Sequence, residues 1–392
     1  MVNPQDLKRL FRGDRTAIEL DLSEVNLWGV DLTGVDLRKA NLTKADLGAA
    51  DLSQANLSRA NLHGADLSGA NLTKADLIGA NLSKANLYEA DLREADLWEV
   101  NLKEADLREA NLSETSLYRV DLYRAELVGI NLSGAILDSI HLQNASLIQI
   151  NLNRANLNSS NLIGTNFIDV DLSETNLSWS WLEYANLRGI NLWRANLNCA
   201  DLNKANLSCA NLQYTDLSGA DLRYANLERA NLKKANLEEA NLRGANLNQS
   251  IFYQANLHGL NRGENHVMKD EKMYFRGADL REANLTHADL SRANLNGANL
   301  NGANLNGAYL TDIRGLDANF QGAILTGIHL DPLSWKINSN TNFDDTICDY
   351  IYLRYWDDNN HFRDRRCPRD PNQNFEVGEF SLRLSLGILD TV

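Results

Sequence analysis

The stretch ANLNGANLNGANLNGA, residues 293–308, repeats one five-residue unit three times. An α-helix wants apolar residues at a spacing near 3.6, and a half-buried strand wants them at 2. Leucines five apart fall about 140° apart around a helix and form no stripe. In a strand they fall on alternate faces. A period of five therefore describes neither element. It describes a backbone that turns once per repeat and brings each leucine to the same inner side.

The same unit extends far beyond this stretch. From Leu22 to Leu257 every fifth residue is large and apolar, giving 48 repeats with Phe167 and Phe252 as the only exceptions to leucine. A second block of 12 repeats runs from Phe275 to Leu330. Two positions before the leucine sits a small residue, usually Ala, as at Ala40, Ala45 and Ala50. The position between them is usually Asp or Asn, and the other two are polar or Gly. Asn, Asp, Ser and Gly suit turns. One large and one small inward residue per repeat imply a narrow core.

The pattern A-[D/N]-L-x-x over roughly residues 20–330 resembles the pentapeptide-repeat family. The resemblance implies an all-β fold, a right-handed quadrilateral β-helix with four repeats per coil. Sixty repeats would make about 15 coils, a rod roughly 70 Å long at the spacing of neighbouring strands. Both ends of such a solenoid need caps, because bare coils expose core and strand edges. Asn3-Pro4 with Asp6 reads as the start of a short helix near residues 4–12. Leu7, Leu10 and Phe11 would share one of its faces, and Gly13 would end it. The expected organisation is an N-terminal cap at 1–19, solenoid at 20–257 and 275–330, an inserted loop at 258–274, and a capping C-terminal extension at 331–392. Leu257 and Phe275 are 18 residues apart where five are expected, so the loop holds about 13 extra residues. Gly315 stands at a leucine site. The extension is aromatic, Arg-rich and irregular. Its TICDYIYLRYW stretch is apolar enough to pack on the last coil, and FSLRLSLGIL alternates like a strand, while Phe380, Leu384 and Ile388 also suit a helix face. The RRCPRDPNQNFEVGEF segment resembles C-terminal extensions of larger cyanobacterial members. Family members dimerise through their C-terminal ends, so the resemblance makes this extension a candidate homodimer contact.

Composition narrows the function. The net charge is −14, with a pI near 5.0. That argues against direct nucleic-acid binding, which needs clustered Lys and Arg, and against attraction to an anionic membrane. The N-terminus has no apolar run of signal-peptide length, and no stretch approaches a membrane span. Four cysteines are too few for a disulfide scaffold, and a reducing cytoplasm is expected. Cys199 and Cys209 fall half a coil apart and are not expected to pair. No phosphate loop or hydrolase motif occurs, and the seven histidines are scattered. Cys348, His361 and Cys367, with spacings of 13 and 6, match no strong zinc pattern. No catalytic residue, cofactor or metal is expected. The carboxylates repeat on every coil, and a ladder of that kind is structure.

Outward positions break their polar rule mainly between Val120 and Trp193. If positions 20 apart stack, Val128, Ile148 and Ile168 form an aliphatic stripe. Tyr123, His141, Ile163, Trp181 and Tyr184 share or border a corner with Trp179. Ile136 and Trp181 replace the usual Asp or Asn. Such a patch marks an interaction surface, or outward residues that pack on one another across strands. Ile78, Trp98 and Tyr118 form a smaller stack of the second kind. Glu89, Glu94, Glu99, Glu104, Glu109 and Glu114 make an acidic belt beside Arg93, Lys103 and Arg108. These features support a non-enzymatic scaffold or regulator for a protein partner that is not identified. The alternative, by resemblance to fluoroquinolone-resistance members, is a DNA-mimic inhibitor or protector of type II topoisomerase.

Overall fold

The computed structural model describes residues 19–140, 142, 147, 149–258, 260, 273–331, 334–356, 362–370, 373–376, 379–380 and 383. The helix expected at 4–12 and most of FSLRLSLGIL lie outside them. The chain divides into two compact units, Met1–Trp181 and Leu182–Val392. Each is a stack of coils.

One repeat explains the coil, because all five of its backbone N–H groups are satisfied. In Ala80–Lys84, Ala80 N–H donates to Leu77 O at 2.8 Å and closes a β-turn. Asn81 N–H donates to Ala60 O at 2.9 Å, and Leu82 N–H donates to Asn101 O at 2.8 Å. These two bonds tie the repeat to the coils on either side. Ser83 N–H donates to Asn81 Oδ1 at 3.2 Å. Lys84 N–H donates to Lys103 O at 2.9 Å. Unpaired backbone groups are costly, so this complete set is what makes a five-residue period stable. Asp or Asn precedes the leucine because a short side chain with an acceptor at that distance reaches the N–H two residues on. Asn adds a rung of its own: Asn81 Nδ2 donates to Asn61 Oδ1, and Asn101 Nδ2 donates to Asn81 Oδ1.

Parallel bridges join residues 20 apart throughout the first unit, from Asp21 with Asn41 to Asn161 with Trp181. The second unit starts the same way, from Asn186 with Asn206 to Asn236 with Asn256. Successive coils are therefore 20 residues apart along the chain. The last residue of each repeat takes a left-handed backbone, as at Lys74 with φ 58° and Glu89 with φ 56°. The leucines are buried at 0–2% exposure over most of both units, with alanines between them. Where Thr or Ser replaces that alanine, the hydroxyl turns to a carbonyl, as Ser160 Oγ does to Leu137 O at 3.0 Å.

Two expectations are corrected. Across the loop the bridge offset is 28, as for Asn256 with Asn284, so eight residues are inserted and not about 13. Leu260 accounts for the difference: it is fully buried, and its carbonyl accepts from Asp289 N–H, so one more repeat begins there. The coil also continues past residue 330. Lys336, Asn342 and Ile347 bridge back to Arg314, Asn319 and Ile324. Large rings hide this coil from the repeat pattern, because Trp335 and Phe343 take inward places. Phe343 stacks on Phe320 at 4.9 Å and 7°. At Gly315, the missing leucine is offset by Ile313, fully buried at a site that usually holds Ala.

The second unit ends in a three-stranded sheet: β1 (Ile328–Leu330), β2 (Ile351–Trp356) and β3 (Phe362–Cys367). β2 pairs parallel with β1 and antiparallel with β3. Tyr309, His329 and Tyr352 stack across it at 4.2 and 4.7 Å, and His329 Nδ1 meets Asp364 Oδ2 at 2.9 Å. Phe375 and Phe380 cover this end, with Phe380 edge-on to Phe343.

Candidate functional site

The expected patch residues fall in different places. Tyr123, Val128, Ile168, Trp179 and Trp181 are exposed in the first unit, with Tyr123 and Trp179 both at 59%. Ile163 is half-buried, not exposed. His141 and Ile148 lie outside the described residues, so the stack of Val128, Ile148 and Ile168 is not described. Tyr184 is exposed but belongs to the second unit, where Lys204 Nζ lies over its ring and 2.9 Å from its hydroxyl.

Two of the first unit's apolar residues sit where the coil needs an acceptor. Ile136 bridges Ser116 and Asn156, and Trp181 bridges Asn161. Both hold the Asp/Asn position, both are exposed, and neither can accept the N–H two residues on. Each gives up a hydrogen bond worth about 1 kcal/mol to place an apolar side chain in solvent. A local rule broken without a local gain points to function.

Beside Ile136 a cleft of about 900 Å³ opens at one corner of the coil, among Tyr118, Arg119, Leu122, Tyr123, Asp138 and Ile140. Leu122 is half-buried there, unlike the leucines of neighbouring coils. Lys103 also lines the cleft, with Nζ 3.0 Å from Asp121. The Arg119 guanidinium lies over the Tyr118 ring and meets Glu99 at 3.3 Å. Asp138 Oδ1 is buried without a hydrogen-bond partner, and burial pushes its carboxyl above the usual range. Apolar walls with a few polar groups suit the side chains of a partner. Asp138→Asn should raise stability at pH 7, by roughly 0.5 kcal/mol given the partial exposure of the site. The folded state holds the Asp138 pKa above its unfolded value. The gain should therefore vanish as pH falls through that raised value and Asp138 protonates. Thermal melts of both proteins across pH 4–8 check this.

Sequence reasoning missed Trp28, the most exposed tryptophan among the described residues at 65%. It lies against Gly48, where a Cβ would meet its ring at 2.8 Å. The signal was the placement of Gly48, one coil length on from a lone outward Trp. The acidic belt occupies left-handed corners, and Glu94, Glu99 and Glu104 pair loosely with Lys74, Arg119 and Lys84 at 3.3–3.8 Å. Trp98 and Tyr118 pair at 6.3 Å. Cys199, Cys209, Cys348 and Cys367 are free thiols. Burial pushes the Cys348 thiol far up, which makes it a poor nucleophile. Among the described residues no His, Cys, Asp and Glu group could hold a metal ion, and no helix is long and apolar enough to cross a membrane.

A family model for pentapeptide repeats matches eight times, over 21–59, 60–99, 101–138, 140–178, 150–189, 185–223, 220–259 and 274–312. The chain belongs to the pentapeptide-repeat family. Pentapeptide-repeat proteins form right-handed β-helices, and they are in general structural or interaction proteins rather than enzymes. This pentapeptide-repeat chain is similar to HetL, involved in heterocyst differentiation regulation, from the cyanobacterium Nostoc sp. strain PCC 7120. Identity is 33% over 68% of this chain and 100% of that one, with a TM-score of 0.32. It is similar to Rfr23 from the cyanobacterium Cyanothece 51142, at 32% identity over 33% and 94%, with a TM-score of 0.20. QnrB1, a plasmid-mediated fluoroquinolone resistance protein, is 14% identical over 55% and 92%, with a TM-score of 0.29. Comparison with curated proteins gives no match.

Proposed function

We propose that this pentapeptide-repeat protein is a non-enzymatic scaffold or regulator that presents coil surfaces to a protein partner. The finer fold, four-sided coils about 15 in number, is part of this reading, as is a homodimer contact through the C-terminal extension. The contact surface is the first unit's apolar corner around the cleft. The observation that carries the reading is the exposure of Ile136 and Trp181 at positions where the coil needs an acceptor. Aromatic anchors of this kind dominate binding energy at interfaces.

The test is affinity capture from native-host extract with wild type and with a Tyr123→Ala/Trp179→Ala/Trp181→Ala variant. All three side chains are exposed, so the variant should keep the wild-type circular dichroism. A partner should be recovered at least tenfold less with the variant. Equal recovery would remove this surface from the proposal. Inhibition of type II topoisomerase supercoiling by micromolar protein, equal in both, would move the reading to DNA mimicry.

A further inference from the structure

The second unit carries a surface of opposite character. Asn191, Asn211, Asn231 and Ile251 bridge in one column. The outward positions beside that column, over the same four coils, hold Trp193, Arg194, Tyr214, Lys233, Lys234 and Tyr253, with Gln at the remaining two. This side has no carboxylate between Asn191 and Gln254. The carboxylates of those coils, Asp201, Asp216, Asp221, Glu228, Glu238 and Glu239, belong to the other three sides. The rings carry the cations. The Arg194 guanidinium lies 4.3 Å from the Trp193 ring centre, Lys234 Nζ lies 5.6 Å from that of Tyr214, and Lys233 Nζ lies 5.5 Å from that of Tyr253. Among the described residues, none of these three cations has a carboxylate in ion-pair reach. Other cations do pair, as Arg93 does with Asp91 at 2.7 Å and Arg108 with Asp106 at 2.6 Å.

We infer that this side binds an extended acidic peptide segment that also carries apolar residues. Unpaired cations on a chain of net charge −14 form a local positive field that selects an anionic ligand. The exposed Tyr214 ring, with Ile251 in the column itself, offers apolar contact between the charges. The same net charge repels a long polyanion such as nucleic acid, and a short acidic segment feels that repulsion less. This surface lies on the second unit and stands independently of the corner proposed above.

The probe is a fluorescein-labelled peptide of four Glu-Glu-Phe triplets, read by fluorescence anisotropy on the full chain. A Gln-Gln-Phe peptide and a single-stranded oligothymidylate are run beside it. The acidic peptide should bind, weaken as salt rises from about 50 to 300 mM, and lose at least tenfold with Arg194→Gln/Lys233→Gln/Lys234→Gln. A Lys233→Arg/Lys234→Arg variant keeps both charge and ring contact and should bind within about threefold of wild type. No binding at about 100 µM protein, or equal binding by the Gln triple variant, overturns the inference. Tighter binding of the oligothymidylate would overturn it in favour of a nucleic acid. Self-association abolished by the triple variant, with no peptide binding, would overturn it in favour of a second copy.

Discussion

Leu92→Asp should unfold the coils around it. Leu92 is fully buried between the leucines of the adjoining coils, and its N–H donates to Asn111 O at 2.8 Å. Truncating such a leucine costs about 2–5 kcal/mol, and an unpartnered carboxylate in its place adds several more. A coil touches only its neighbours, so the damage starts locally. Hydrogen exchange read by mass spectrometry should show amides from about Asn71 to Leu112 losing protection first. Amides of the second unit should keep theirs. Leu92→Met, which conserves volume, should cost under about 1.5 kcal/mol. Wild-type protection in Leu92→Asp would mean that the leucine column does not hold the coils together.

Phe343→Ala should uncap the second unit. Phe343 lies flat on Phe320, with Trp335 at 6.2 Å and the edge of Phe380 at 6.3 Å. Trp335 in turn donates its indole N–H to Leu310 O. Removing the central ring costs about 3–5 kcal/mol and loosens every aromatic that covers the last coil. Bare coil edges pair with other chains. The variant should therefore melt earlier and show concentration-dependent growth in light scattering. Phe343→Leu should recover part of the loss. A monodisperse Phe343→Ala protein with an unchanged melting curve would show that the cap lies elsewhere.

The belt glutamates are visible in the sequence, and so are most of the exposed apolar residues. The Ile163 environment is not, because half-burial depends on which side chains occupy the neighbouring coil. The loop length is not legible either, because Leu260 keeps an inward place without the rest of a recognisable repeat. The coil over 334–353 is hidden because Trp335 and Phe343 fill space that leucine and alanine fill elsewhere. The basic side is hidden for another reason: Arg194, Tyr214 and Lys234 are spaced one coil apart and look unrelated along the chain.

By itself the sequence determined the coil. A leucine every five residues needs one turn per repeat, and the Asp or Asn before it supplies the acceptor that the turn requires. The bonds that close the turn lie within one repeat or between repeats of the same kind, so any short stretch contains their logic. The tertiary structure decided what the coil displays. Which outward residues meet depends on an offset of 20, 28, 22 or 23, and that offset exists only once the coils have stacked. The cleft, the unpartnered Asp138 and the stretch of one side without carboxylates between Asn191 and Gln254 all arise from that stacking.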